Sequence, residues 1–143
     1  MICRVGPASL RYNLAMQMFD PIGSVHKAVG DAPFYKLVDE FYKRVENDPL
    51  LRPMYPQDLT PAKEHLALFL IQRTGGPDTY SQKQGHPRMR ARHLPFKIGQ
   101  RERDAWMKNM TEALDSVPEL AQNRQALWEF FDNFATFMIN QPN

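Results

Sequence analysis

The feature that most constrains this fold is the spacing of its apolar residues, which follows the period of an α-helix. After Asp31, apolar side chains recur three or four positions apart, as on one buried helical face: Phe34, Leu37, Val38, Phe41, Tyr42 and Val45. The chain contains neither the alternating pattern of a half-buried strand nor an internal repeat. The spacing therefore predicts an all-α fold.

Prolines and glycines divide the apolar pattern into separate helices. Asp31 is a candidate cap for the first of these helices. A second helix is predicted to be capped by Thr60 with Pro61 at its first position, and to stop at Gly75. Stronger helices follow from Gln100 and from about residue 119, whereas residues 77–87 show little periodicity.

Size and charge limit the possible functions. The chain has 143 residues, of which 43% are hydrophobic, enough for one compact domain. Its 18 basic and 16 acidic side chains leave a net charge of +2, which argues against a nucleic-acid partner. No apolar run reaches the ~18 residues of a membrane span. The single cysteine, Cys3, excludes an internal disulfide and favours a reducing compartment, so we expect a cytoplasmic protein.

A basic segment surrounds one histidine, in the sequence GHPRMRARHLPFKIGQRERDAW from Gly85 to Trp106. Pro95 ends a short helix that runs at most from about Arg88 to His93, so His93 lies in its last turn. Two interpretations stay open from these residues. The imidazole either satisfies a carbonyl group at the helix end or serves as the axial ligand of a haem iron.

The cations beside His93 allow two kinds of partner. Arg92 and Lys97 could pair with haem propionates through charge-assisted hydrogen bonds. Alternatively, the arginine cluster could dock an anionic partner on a helical module that contains no haem. Arg88, Arg90 and Arg92 recur every second position, which spreads them around a helix, and no aromatic residues interleave as in a single-strand binding surface. Nucleic-acid binding is therefore disfavoured.

Three aromatic residues with polar tips are predicted to point inward. Tyr42 and Trp106 follow the apolar periodicity of their helices, and Tyr55 lies at a corner bounded by prolines. Each ring could be purely structural, needing one partner for its hydroxyl or indole N–H. Three such donors directed into one core instead favour a polar ligand there, such as a diatomic gas on iron.

Two stretches resemble the signatures of the group II truncated haemoglobins. They are GGPDTYSQKQGHPRMRARHLPFKIGQRERDAW, from Gly75 to Trp106, and FYKRVENDPLLRPMYP, from Phe41 to Pro56. The resemblance implies a truncated globin, a two-over-two helical sandwich around haem b and its iron, over residues 25–143. Residues 1–24 match nothing in the family, and we expect them to form a flexible N-terminal extension. Thr74 departs from the family, which commonly has an aromatic residue there.

The resemblance also implies roles for individual residues. It assigns His93 as the proximal iron ligand and Trp106, Tyr42 and Tyr55 as the distal hydrogen-bonding residues. The remaining haem contacts that it implies are apolar wall residues and propionate partners: Ala62, Leu66, Phe69, Leu70, Arg92 and Lys97.

The expected function follows from these roles. A haem protein with three distal donors would bind oxygen, carbon monoxide, nitric oxide or peroxide reversibly and release oxygen slowly. Slow release suits peroxidase-like chemistry or nitric oxide oxidation, which needs a reductase that the sequence does not identify. Phe137 and Met138 could face the core or a second copy of the chain in a homodimer, and we expect them to face the core.

Overall fold

The computed structural model of the chain describes residues 20–142, and every element in that range is helical. Short helices precede and separate the longer ones, and two 3₁₀ helices lie at Arg52–Met54 and Pro118–Asn123. The α-helices, in chain order, are α1 (Val25–Val29), α2 (Ala32–Glu46), α3 (Thr60–Arg73), α4 (Thr79–Gln84), α5 (Met89–His93), α6 (Gln100–Asp115) and α7 (Arg124–Phe137). The predicted all-α class is confirmed.

Four long helices form the sandwich. Helix α2 packs against α3 and α6, and α6 packs against α7, which gives the predicted two-over-two arrangement. The periodic apolar faces meet in one core. Its most deeply buried large side chains include Phe34, Phe41, Leu70, Met110, Leu114, Leu127 and Phe131. Burial of these faces is the main stabilising contribution, because helices of this length are marginal alone in water.

Asp31 is the N-cap residue of α2, as predicted, but the predicted cap at Thr60 is wrong. The Asp31 side chain makes no capping hydrogen bond; its carboxylate Oδ1 lies 2.5 Å from Nε2 of His26 in α1. Thr60 is already the first residue of α3, and its backbone N–H donates to Oδ1 of Asp58 at 3.0 Å. In each case a nearby polar side chain, that of His26 or Asp58, supplies a different hydrogen-bond partner. Local sequence rules do not anticipate such competition.

Two other segments differ from expectation. Residues 77–87, predicted to lack a regular element, contain the six-residue helix α4, in which Tyr80 is the one buried residue. The last helix begins at Arg124, because residues from Pro118 form a 3₁₀ turn first. Short elements that bury a single side chain show no periodicity, so the sequence pattern does not reveal them.

The chain packs against the sandwich from Asp20 onward. Ile22 is 1% exposed and joins the core, and Asp20 pairs with Arg73 at 3.1 Å between Oδ1 and Nη1. The remainder of the expected extension, residues 1–19, lies outside the described residues. Between residues 20 and 142, no helix is long and apolar enough to cross a membrane.

Candidate functional site

A cavity of about 300 Å³ lies between the two layers of the sandwich, at the side closed by α5. Most of its lining is apolar or aromatic, with a few polar groups among them. The lining residues are Tyr42, Tyr55, Ala62, His65, Leu66, Phe69, Tyr80, Met89, Arg92, His93, Phe96, Trp106 and Phe134. Such a largely apolar cavity with a few convergent polar groups is typical of a cofactor site.

A second, smaller cavity of about 150 Å³ adjoins the first. The two share the lining residues Tyr55, His93, Phe96, Trp106 and Phe134, so they form one crevice. The smaller cavity adds apolar residues from the corner, from the segment after α5 and from α7: Leu51, Met54, Ile98, Ala135 and Met138. The crevice therefore runs from the corner after α2 to the end of α7.

Eight of the ten predicted site residues line this crevice: Tyr42, Tyr55, Ala62, Leu66, Phe69, Arg92, His93 and Trp106. Leu70 does not, because it follows Phe69 and lies about 100° farther round α3, where it is buried in the core. Lys97 is exposed and does not line the crevice either. Sequence reasoning missed Tyr80, Met89 and Phe96, which lie in or beside short elements without an apolar period.

His93 ends α5 and is half-buried at the cavity wall. Its ring atom Nδ1 lies 2.6 Å from the backbone oxygen of Met89. A carbonyl oxygen can only accept, so Nδ1 carries a proton, and in the neutral imidazole Nε2 then has the lone pair. Metal-ligating histidines are typically held in this way, with the second ring nitrogen donating to a carbonyl group.

The donor set around His93 suits a metal whose other ligands come from a macrocycle. Within residues 20–142, no group of three or more histidine, cysteine or acidic side chains could hold a metal ion. A single imidazole in an apolar crevice cannot complete the coordination shell of a bare ion, but it is the usual protein ligand of haem iron in globins. The residues present therefore fit haem.

Tyr42, Tyr55 and Trp106 come together in the lining of the cavity. The rings of Tyr42 and Tyr55 meet edge to face at 5.5 Å between centroids. The Trp106 ring packs 5.3 Å from Phe41 and 5.9 Å from Phe131, and its side chain is hydrogen-bonded to Tyr55. Three donors on α2, the corner and α6 are therefore brought to one place by the packing of these elements.

The two tyrosine hydroxyls stay protonated far above neutral pH. Burial raises the pKa of Tyr42 well above its ordinary value of 10.0, and the neighbouring Tyr55 raises it further. Burial also raises the pKa of Tyr55 to about 12, an increase that the nearby Trp106 and Tyr42 side chains partly offset. Both hydroxyls therefore keep their protons, and Tyr55 is hydrogen-bonded to the side chains of Tyr42 and Trp106.

Arg92 makes contacts that its sequence position does not suggest. Its Nε donates to the backbone oxygen of Pro87 at 2.7 Å, and its Nη2 donates to that of Gln84 at 2.6 Å. The guanidinium also lies over the ring of Tyr80, 6.0 Å from its centroid. Arg92 thus stabilises the segment before α5, and most of its N–H groups already donate to backbone oxygens of this segment.

Comparison with known proteins identifies the family of the chain. Residues 17–140 match the family of bacterial-like globins. Over 116 residues the chain is 41% identical to the group 2 truncated haemoglobin YjbI of Bacillus subtilis, which covers 81% of this chain and 88% of that protein. The chain belongs to the group II truncated haemoglobins.

Solved structures place this truncated haemoglobin among the same proteins. A haemoglobin from Chloroflexus aurantiacus is 50% identical, with a TM-score of 0.77, covering 82% of this chain and 98% of that one. The truncated oxygen-avid haemoglobin of Bacillus subtilis is 40% identical, with a TM-score of 0.78, over 82% and 99%. As a member of this family, the protein has haem iron as its cofactor and binds oxygen.

Proposed function

We propose that His93 is the protein ligand of the haem iron and that this truncated haemoglobin retains oxygen instead of delivering it. The observation that carries the proposal is the hydrogen bond from Nδ1 of His93 to the Met89 oxygen, because it leaves Nε2 as the ring nitrogen that can coordinate the iron. When bound, haem supplies an open coordination position at which oxygen, carbon monoxide and nitric oxide bind. Ala62, Leu66 and Phe69 provide the apolar wall that excludes water.

Slow release is supported by the donors across the cavity. Trp106, Tyr42 and Tyr55 all line it, and the raised pKa values keep both hydroxyl groups protonated. A hydrogen bond to a charged group contributes about 1.5–3 kcal/mol, or roughly 10- to 150-fold in ligand release for each good donor. A related protein, from Bacillus subtilis, is described as oxygen-avid.

Retained oxygen supports a second proposal, that the protein uses the gas chemically. Donors directed at an O–O bond polarise it, which favours nitric oxide oxidation or a peroxidase-like reaction over oxygen transport. Nitric oxide oxidation needs a reductase to return the iron to the ferrous state, and for this reaction we propose a cytoplasmic reductase as the partner.

Ion pairs within the basic segment argue against the anion-binding module and support haem as the partner of its remaining cations. Arg103 pairs with Asp132 and Asp104, and Arg101 pairs with Glu102, so these arginines do not form one anion site. With Arg92 committed largely to backbone oxygens, we propose Lys97 as the main partner of a haem propionate.

A homodimer is a further proposal, and it rests on one exposed residue of α7, Phe137. Of the two candidates for a dimer surface, Met138 is buried, but Phe137 is 61% exposed. The expectation that both face the core is therefore wrong for Phe137, which could pack against a second copy of the chain.

The test of the proposed function replaces His93 by glycine. We expect His93→Gly to lose the carbon monoxide difference spectrum of a histidine-ligated haem, and added free imidazole to restore it. His65→Gly is the matched control, because His65 also lines the cavity but its Nε2 is 3.1 Å from the side-chain nitrogen of Gln84. An unaltered spectrum in His93→Gly would contradict the proposal.

A further inference from the structure

The helix that carries His93 has little hydrophobic packing. None of the five residues of α5 is buried, and partly buried Met89 is its contact with the hydrophobic core, whereas each of the four long helices buries several residues. A one-turn helix has too few internal hydrogen bonds to be stable alone. The position of the His93 ring therefore depends largely on polar contacts made by the segments on either side of α5.

The segment before α5 is held by Arg92, through the backbone oxygens of Gln84 and Pro87 described above and a third contact to that of His86 at 3.2 Å. These bonds are local, because Arg92 lies on α5 itself and its partners immediately precede it. They shape the turn into α5 but do not connect it to the sandwich.

The segment after α5 is tied to the sandwich by Asn140, which lies just beyond the end of α7. Its Nδ2 donates to the backbone oxygen of Phe96 at 2.8 Å and to that of His93 at 3.2 Å. Its Oδ1 accepts from the backbone N–H of Ile98 at 2.9 Å. The side-chain amide thus uses both its donor and its acceptor groups on the six residues that start at His93.

Backbone contacts strengthen this connection. The backbone N–H of Asn140 donates to the oxygen of Ile98 at 2.8 Å, so the two residues are bonded in both directions. Phe134 and Met138, from α7 and its end, line the same crevice. Asn140 therefore joins the segment that carries the imidazole to a long helix that forms the cavity wall.

We propose that Asn140 is a positioning residue that sets the height and tilt of the His93 imidazole over the haem. The ring is fastened to its own helix through Met89, so it moves with the backbone of α5, and Asn140 holds that backbone at the His93 carbonyl. Loss of the two donated bonds releases the C-terminal end of α5. The inference rests on the proposed role of His93 as the iron ligand.

Two substitutions separate the parts of this contact. Asn140→Ala removes all the side-chain bonds, whereas Asn140→Asp keeps an oxygen for the N–H of Ile98 and loses both donors. Asn47→Ala is the matched control, because the Nδ2 of Asn47 donates to the backbone oxygen of Lys43 at 3.0 Å, at the end of α2 and outside the crevice lining. All variants are measured as full-length, haem-loaded protein.

The main readout is the iron–imidazole stretching band in the resonance Raman spectrum of the reduced protein. Both Asn140 variants should shift or broaden this band and lose haem to an acceptor apoglobin about tenfold faster, as expected for one to two lost hydrogen bonds. Exchange of the Ile98 amide hydrogen should accelerate in Asn140→Ala but not in Asn140→Asp. Asn47→Ala should leave all three measurements unchanged.

The outcomes distinguish this inference from the proposed function. If the Asn140 variants keep the band and the haem-loss rate of the parent while His93→Gly loses the band, the inference is overturned and the role of His93 stands. Equal changes in Asn47→Ala and Asn140→Ala would also overturn it, because they would reflect general destabilisation. If His93→Gly keeps the band, the proposed function and this inference fail together.

Discussion

The two tryptophans show how one residue type meets two different requirements. The indole Nε1 of Trp128 donates to Oγ1 of Thr111 at 3.0 Å, a bond that joins α7 to α6. Trp106 packs its ring against aromatic neighbours, lines the crevice and is hydrogen-bonded to the side chain of Tyr55. The partner of the indole therefore separates the two residues, because it is a residue of the neighbouring helix for Trp128 and a crevice residue for Trp106.

This contrast gives a prediction for ligand release. Trp106→Phe keeps an aromatic ring and removes the indole N–H, so the oxygen dissociation rate should rise about 10- to 150-fold in stopped-flow measurements. Trp128→Phe removes the same group outside the crevice and should leave the rate within about twofold of the parent. A rate that Trp106→Phe does not change would show that the indole is not the donor that retains oxygen.

The buried tyrosine hydroxyls predict a loss of stability in alkali. Because their pKa values lie above the ordinary 10.0, the folded protein keeps protons between pH 10 and 12 that the unfolded chain has released. This contribution is complete below pH 10 and is lost as the pH rises through the folded values. Urea unfolding of the haem-loaded protein should therefore show a free energy that falls over this range.

Substitution of one hydroxyl tests the cause of that fall. Tyr42→Phe should make the decline in unfolding free energy shallower, because one of the two buried groups no longer titrates. Tyr35→Phe is the matched control for the loss of one hydroxyl group, since Tyr35 is 45% exposed and lies outside the crevice lining. Equal slopes in the parent and in Tyr42→Phe would contradict the assignment.

At the scale of elements, the turn after α3 depends on a close approach between two glycines. Gly75 has a φ of +100°, and a Cβ added there would collide with the backbone oxygen of Gly23. Beside it, Thr74 is fully buried and its hydroxyl donates to the Leu70 oxygen at 2.7 Å. The small side chain that departs from the family thus folds back onto its own helix.

Gly75→Ala should therefore destabilise the protein by more than positive φ alone. Gly85 is the matched site, because it has a φ of +78° and a Cβ added there would meet nothing within 4 Å. Backbone strain should cost about 1–3 kcal/mol in Gly85→Ala, and crowding should add about 1–3 kcal/mol in Gly75→Ala. Urea unfolding measures both, and equal costs would rule out the close approach.

The elements that the sequence predicted are those that bury a whole face. Helix α2 could be recognised because seven of its residues are buried at helical spacing. Helix α4 could not, because Tyr80 alone is buried and one residue has no period. Phe69 and Leu70 look equivalent in the sequence, and only the direction from which α2 packs on α3 separates crevice wall from core.

For the whole molecule, the start of the packed domain is the boundary that can be tested. If residues 2–19 belong to the flexible extension expected from the sequence, their deletion should change the free energy of unfolding little. Deletion of residues 2–24 also removes Ile22 from the core, which should cost about 1.5–3 kcal/mol. Asp20→Asn in the full chain should cost less than about 1 kcal/mol, because the pair with Arg73 is partly exposed. Similar stability for both deletions would place the boundary at Val25.

Because no residue of α5 is buried, haem binding and the thermal stability of the helical fold can be lost independently. When the turn that carries the imidazole has few contacts with the hydrophobic core, the haem can dissociate while the long helices stay folded. On heating, the haem absorption band should be lost at a lower temperature than the circular dichroism signal of the helices. Substitutions that weaken haem binding should then leave the helical fold intact.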